Sequence, residues 1–241
     1  KEKNKANLKI WKDIIEKVNS KRKKVSIAIV GKYVDLKDAY KSLDEALIHG
    51  SLNNDVDLNT QWVDSTKINT KNVSEVLKNY SAILIPGGFG VRGTEGKIDA
   101  IAYARKYKVP FFGICFGMQM AVIESARNML GIKKATSSEF GNSGTHVVGL
   151  MHEWVKGRDV QKGSEKNLGG TMRLGSYKAK LKKNSLISKI YKSNLIHERH
   201  RHRYEVNKDL KSKLEKKGLI FSGLSPDGLL PETIELENHP W

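Results

Sequence analysis

The chain has one cysteine, Cys115, in the segment Gly113-Ile114-Cys115-Phe116-Gly117. Pro110–Ile114 (PFFGI) reads as a buried strand and Gly117–Leu130 as an apolar helix, so Cys115 falls on a strand-to-helix turn. The spacing G-x-C-x-G is the cysteine counterpart of the serine nucleophile elbow. A nucleophile on so sharp a turn sits in strained backbone, and flanking residues without side chains relieve the crowding. The helix that follows points its N-terminus at the sulfur, where its partial positive charge favours thiolate. The amide of Phe116 is placed to donate to an oxyanion. The plain alternative is a small buried hydrophobe, a common fate of free cysteine. The strand, turn and helix around Cys115 favour the nucleophile.

A second glycine turn, Pro86-Gly87-Gly88-Phe89-Gly90, follows the short apolar run Ala82–Ile85. Successive parallel strands end on the same side of a sheet, where ligands bind. A Gly-Gly turn beside the elbow offers a further oxyanion donor at Gly88. Taken alone it is also compatible with a tight turn that binds nothing.

Both turns need a sheet to position them. Val25–Val30 (VSIAIV), Val56–Val63, Ala82–Ile85 and Pro110–Ile114 read as strands. Between them Tyr40–His49 (closed by Gly50), Val73–Asn79 and Thr94–Tyr107 read as helices. This alternation predicts an α/β fold with a mostly parallel central sheet flanked by helices. The second half is less regular. Thr171–Lys182 and Leu219–Ser222 read as strands, Glu232–Leu236 as an edge strand, and Ser185–Lys192 and Asp209–Lys217 as helices. They predict a small additional antiparallel region. Gly163–Gly175 reads as a mobile loop.

The 241 residues include 43 Lys or Arg and 26 Asp or Glu, for a formal charge of +17. Ten of the basic residues, against three acids, lie in Lys1–Lys24. Ala6–Ser20 carries Leu8, Trp11, Ile15 and Val18 at helical spacing, and the run Lys21–Lys24 reads as a linker. Two regions follow: a basic helix and linker over residues 1–24, and an α/β domain over 25–241. Elsewhere the charge is scattered, with neither a zinc-finger spacing nor an RNP-type aromatic motif, which argues against a specific nucleic-acid site. The single cysteine excludes an intramolecular disulfide and any Cys-pair zinc site, and it fits a reducing, cytoplasmic setting. The longest apolar stretch, around Val109–Met118, is about half of a membrane span. The N-terminus has no secretory h-region.

The segments PGGFG, GICFGMQ, SSEF, LGGTMRLG and ERHRHRYEVN, in that order, resemble the glutamine amidotransferase domain of the CTP synthases. Val25–Val30 followed by GKYVDLKDAYKS resembles the opening of that domain. The resemblance covers nearly the whole chain from about Val25. The elbow is common to class I, triad-type glutaminases, whereas LGGTMRLG and RHRHRYEVN are more specific. It implies a class I amidotransferase (flavodoxin-like) fold. It also implies an enzyme in which Cys115 attacks the glutamine side-chain amide, forms a thioester and releases ammonia. Gly88 and Phe116 then serve the oxyanion. Gly88, Phe116, Gly117, Met118, Gln119, Glu139 and Arg203 hold L-glutamine. A carboxylate for the α-ammonium, with cationic and amide donors for the α-carboxylate, is what such a ligand needs.

The resemblance further implies a synthetase domain preceding this one in the same polypeptide. That domain uses ATP, UTP and Mg to turn UTP into CTP, in a homotetramer. GTP is the family's allosteric activator, and the loop Gly163–Gly175 resembles the lid that responds to it. Lys166, Gly169, Gly170 and Arg173 are the candidates there. No P-loop occurs in these residues, and no cofactor or metal is expected in the glutaminase domain itself. The family usually has leucine where Phe116 stands.

In the family, a strand and an F-H-P-E motif follow shortly after the H-P-W segment. Its histidine is the general base, and its glutamate orients that histidine. The residues given end at His239-Pro240-Trp241, so the expectation is that this half of the triad lies outside them. Of the seven histidines, His200 and His202 are expected near the site in structural roles, and His239 is not assigned. The rival readings are a glutaminase serving another synthase, a non-catalytic module sensing glutamine or nucleotide, and a charge-driven nucleic-acid binder.

Overall fold

The computed structural model describes residues 6–34, 36–150, 153–156, 159–162 and 172–241. In chain order the elements are α1 (Lys9–Asn19), β1 (Lys23–Gly31), α2 (Lys41–Asn53), β2 (Val56–Asp64), α3 (Val73–Leu77), β3 (Ala82–Ile85), α4 (Thr94–Tyr107), β4 (Phe111–Gly113) and α5 (Phe116–Asn128). The second half adds β5 (Ala135–Ser137), β6 (Thr145–Leu150), β7 (Glu153–Lys156), β8 (Asp159–Lys162), β9 (Arg173–Leu181), α6 (Leu186–Tyr191) and β10 (Leu195–His202). It closes with β11 (Tyr204–Val206), α7 (Lys211–Glu215), β12 (Leu219–Leu224) and β13 (Pro231–Leu236).

β1 to β4 form a parallel sheet in the order β2-β1-β3-β4, as the strand–helix alternation predicts. Its central strands are apolar on both faces, with Ala28, Ile29, Val30 and Ile85 fully buried, as expected where helices cover a parallel sheet. α5 lies at the centre of the core, and Met120, Ala121, Val122, Ile123 and Ala126 are completely buried. α4 is tied to α5 by Arg105, whose Nε and Nη2 donate to Glu124 Oε1 at 2.9 and 2.7 Å. Glu124 also accepts from Asn128 Nδ2 at 2.9 Å, so this buried carboxylate is well satisfied.

The antiparallel region is larger than the sequence suggests. A four-stranded sheet, β10-β9-β12-β13, matches the parallel sheet in strand number. β11-β6-β5 form a third sheet and β7-β8 a hairpin. Strand Leu195–His202 was hidden in a basic cluster. Its burial alternates all the same: Ile196, Glu198, His200 and His202 turn inward, while His197, Arg199 and Arg201 are exposed. Gly50, expected to close α2, lies inside it; the helix runs on to Asn53 with open space around the glycine. Of the expected loop Gly163–Gly175, residues 163–171 lie outside the described residues, and Arg173–Gly175 already belong to β9.

α1 forms as predicted but buries nothing. Ile10, Trp11, Ile15 and Val18 are all more than half exposed, forming an apolar stripe with no partner among the described residues. None of the described helices is long and apolar enough to cross a membrane.

Candidate active site

β3 and β4 run side by side, with Ile85 paired to Gly113. The chain therefore leaves the sheet in two adjacent turns. Ile114 N–H donates to the Ile85 carbonyl at 2.9 Å, and a Cβ at Gly87 would lie 3.8 Å from Cys115 Cβ. A Cβ at Gly88 would lie 3.9 Å from the Phe116 ring. The two glycine-rich segments thus form one floor, centred on the cysteine.

Cys115 has φ +51° and ψ −101°, a conformation that an L-residue with a side chain occupies only under constraint. The constraint comes from its flanking glycines. A Cβ at Gly113 would meet Gly117 C at 2.7 Å, and one at Gly117 would meet the Ile85 carbonyl oxygen at 2.3 Å. The elbow closes on itself and on β3 through positions where no side chain fits.

α5 begins at Phe116, directly after the cysteine. The helix N-terminus does not by itself deliver a thiolate. Burial pushes the Cys115 thiol up to about 11, the Phe116 N–H works against that shift, and the carboxylates of Glu205 and Glu139 reinforce it. The sulfur is a resting thiol, and it needs a proton acceptor in order to attack.

Glu139 stands on a short turn after β5, and its Oε1 accepts the Gly90 N–H at 2.6 Å. Burial pushes this carboxyl above its usual range. Glu139 thereby ties the 86–90 turn to the β5–β6 region. Arg203 follows β10, and its Nε is buried without a partner among the described residues. The Tyr204 phenol is raised by burial and by Glu139, and lowered by Arg203, so all three lie within electrostatic range. Gln119 Nε2 donates to the Tyr204 carbonyl at 2.8 Å and holds β11 against the first turn of α5.

A cavity of about 610 Å³ opens beside the sulfur. Cys115, Met118 and Gln119 line it, together with the β4 residues Phe111 and Phe112, His200, His202 and Glu232 from the four-stranded antiparallel sheet, and Glu205 from β11. Gly88, Phe116, Gly117, Glu139 and Arg203 are not in its wall. Cys115 is therefore approached from two sides, one carrying the expected glutamine groups and the other this cavity.

Of the lid candidates, Lys166, Gly169 and Gly170 lie outside the described residues. Arg173 is not an exposed phosphate ligand here. It is 2% exposed, with Nη1 3.3 Å from Glu205 Oε1 and Nη2 2.6 Å from Glu232 Oε1. Its charge is taken up by two carboxylates in the cavity wall. His239 Nε2 contacts the Arg105 carbonyl at 3.1 Å, at the far end of α4, so it is a packing residue.

Sequence reasoning missed Lys97 and Glu205. Lys97 is buried on α4, its Nζ 3.2 Å from Ser65 Oγ and 5.6 Å from the Phe116 ring centre. Burial and the nearby Lys32 and Arg92 lower it to about 8. Lys97 gave no signal beyond its place in the helix Thr94–Tyr107. Glu205 stood only inside the segment RHRHRYEVN and was given no role.

Residues 35–241 match the family described as glutamine amidotransferase class-I. The chain is 63% identical over 241 residues to a CTP synthase of Pelagibacter ubique (strain HTCC1062), covering all of this chain and 45% of that protein. It is 56% identical over 238 residues to a CTP synthase of Rhizobium meliloti (strain 1021), covering 98% of this chain and 44% of that one. The chain thus spans less than half the length of these relatives. Among solved structures it is similar to the glutaminase domain of Trypanosoma brucei CTPS with bound acivicin. The TM-score is 0.75 at 36% identity, over 88% of this chain and 79% of that one.

Proposed function

The chain belongs to the class-I glutamine amidotransferase family, and from that premise we propose that it is the glutaminase domain of a CTP synthase. The observation that carries the reading is the elbow. Cys115 is held at φ +51° between β4 and α5, against the glycine turn at 86–90.

On this reading the Cys115 sulfur attacks the carboxamide carbon of L-glutamine. The oxyanion takes hydrogen bonds from the Phe116 N–H and from the turn at Gly88. Collapse breaks the C–N bond, the nitrogen leaves with an added proton as ammonia, and a glutamyl thioester remains. Water then releases glutamate and restores the thiol. Glu139 Oε2 faces the α-ammonium, since Oε1 is occupied by Gly90, and Arg203 faces the α-carboxylate. Gly117, Met118 and Gln119 complete the pocket. Phe116 serves through its backbone, so the ring in place of the family's leucine leaves the oxyanion donor intact.

In the family's pattern the base is the histidine of an F-H-P-E motif, which is not among the residues given. Neither neighbouring imidazole suits the role. Burial, then Arg173, lowers His200 to about 3 and His202 to about 4. Residues 1–24 form the connector to a preceding synthetase domain of the same polypeptide. That domain would aminate UTP with this ammonia at the expense of ATP with Mg, under GTP control through the 163–175 segment, within a homotetramer.

The test is labelling by a glutamine-mimicking diazoketone, read by mass. One adduct on Cys115, suppressed by excess L-glutamine and absent in Cys115→Ser, is expected. Labelling that glutamine does not suppress would overturn the reading. Ammonia release from glutamine by the full polypeptide should fall at least about 10³-fold in Cys115→Ser.

A further inference from the structure

The Phe116 side chain is where three parts of the candidate glutamine pocket meet. It is 2% exposed. A Cβ at Gly88 would lie 3.9 Å from its Cδ1. Phe140, next to Glu139, sets its ring centre 6.0 Å away at 71°. From α4, the Lys97 ammonium stands over the Phe116 ring, 5.6 Å from its centre. Phe116 also opens α5, and its backbone N–H is the oxyanion donor of the proposed reaction. A group that fixes this ring therefore bears on both oxyanion donors at once.

Lys97 is 4% exposed, so its charge has left water and needs partners. Ser65 Oγ, 3.2 Å away, takes one of its three N–H groups. Asp64 is the carboxylate that acts on it, but Asp64 Oδ1 already accepts the Thr66 N–H and hydroxyl at 2.9 and 2.7 Å. Lys32 and Arg92 are near enough to repel it. What the ammonium has besides Ser65 is the face of Phe116. Within about 6 Å of its centre, an aromatic ring attracts a cation through its quadrupole, most strongly away from water. α4 holds the lysine still. Gly96 leaves no room for a Cβ against the Ser65 carbonyl oxygen, and a Cβ at Gly93 would strike the Ser65 hydroxyl. The first turn of α4 is thus pressed onto Ser65, just after β2.

We propose that Lys97 is a positioning residue for the oxyanion site: through its cation–π contact it seats the Phe116 ring against the Gly88 turn, and with the ring the Phe116 N–H. The inference deepens the glutaminase reading and rests on it. Leucine at position 116 would fill space but offer the ammonium no π face. The link therefore belongs to the pair and not to Lys97 alone. The oxyanion exists only on the way to the thioester, so the contribution of Lys97 falls on kcat and not on KM.

The test is a double-mutant cycle on ammonia release from L-glutamine by the full polypeptide. Lys97→Met keeps most of the side chain's length and removes its charge. In the native background it should lower kcat about 3- to 10-fold and change KM by less than about twofold. In Phe116→Leu the same change should alter kcat by less than about twofold. A second measurement leaves Lys97 in place. Phenylalanine analogues with successively more ring fluorines are incorporated at position 116, each fluorine weakening the negative face with little change of shape. kcat should fall stepwise along that series. Equal effects of Lys97→Met in both backgrounds, or a loss carried by KM, would overturn the proposal and leave Lys97 a packing residue. A flat fluorine series would also overturn it, and that series decides the matter even where Lys97→Met does not fold. Ammonia release that survives Cys115→Ser would instead fault the glutaminase reading, and the proposal with it.

Discussion

The geometry at Cys115 rests on atoms that are missing as much as on those present. A methyl at Gly117 would sit 2.3 Å from the Ile85 carbonyl oxygen, a backbone atom that cannot step aside. Gly117→Ala must therefore push α5 away from β3 and carry the Phe116 amide with it. We expect a loss of about 1–3 kcal/mol in urea unfolding. The labelling rate should fall by more than about 100-fold, because an oxyanion donor displaced by an ångström is largely wasted. Gly50→Ala is the control: it lies mid-helix with open space around it, and should be neutral or gain about 0.5–1 kcal/mol. At this scale the sequence was informative. A cysteine between two glycines, after a buried strand and before a helix, leaves few conformations open, and the residues themselves carry that information. Arg173, Glu205 and Glu232 were not legible in the same way. A charge in a basic run is normally solvated, and only pairing between strands far apart in sequence shows that these three meet away from water.

The same cluster, with His200 against Glu232 and His202 against Glu205, governs how the antiparallel sheet answers pH. His200 and His202 fall to about 3 and 4, so the unfolded chain takes up protons that the fold refuses. Their contribution is complete above about pH 6.5 and is lost as the pH falls toward 4, by ~1.4 kcal/mol per pH unit for each group. Glu205 works in the opposite sense. Its proton is held to about 8 in the fold and released near 4.5 when unfolded, so stability drains away as the pH rises between those values. Glu232, also raised by burial, adds in the same direction as Glu205. Below 6.5 the opposing groups largely offset one another, and above it only the carboxyls act. Urea midpoints should therefore peak near pH 6.5 and decline toward 8, and Glu205→Gln should flatten that decline. Arg173→Met leaves two buried carboxylates without their cation and should cost about 3–5 kcal/mol at pH 7.5. The parallel sheet was readable as elements, because its strands are apolar runs cut by glycine turns. β10 was not, because its alternation is written in His, Glu and Arg, and hydropathy gives that pattern no contrast.

For the molecule as a whole, the informative feature is a helix that nothing among the described residues covers. α1 presents Ile10, Trp11, Ile15 and Val18 to solvent, although a helix so clearly two-faced is built to bury one side. The amidotransferase match begins only at residue 35, whereas the CTP synthase of Pelagibacter ubique matches from end to end of this chain. α1 is thus part of what the two sequences share, and more than half of that relative's length lies outside the match. If α1 is the connector, its apolar face is buried only when the rest of the polypeptide is attached. Hydrogen exchange on α1 amides should then be fast in the 241-residue chain and at least about 10²-fold slower in the full-length protein, since burial of several large side chains adds a few kcal/mol to local opening. Removing residues 1–22 should leave the urea midpoint of the α/β domain within about 0.5 kcal/mol of the intact chain, because α1 contributes no buried residue to it. Equal α1 exchange in the two lengths would mean that the stripe has no partner in the polypeptide, and the connector reading of residues 1–24 would fall.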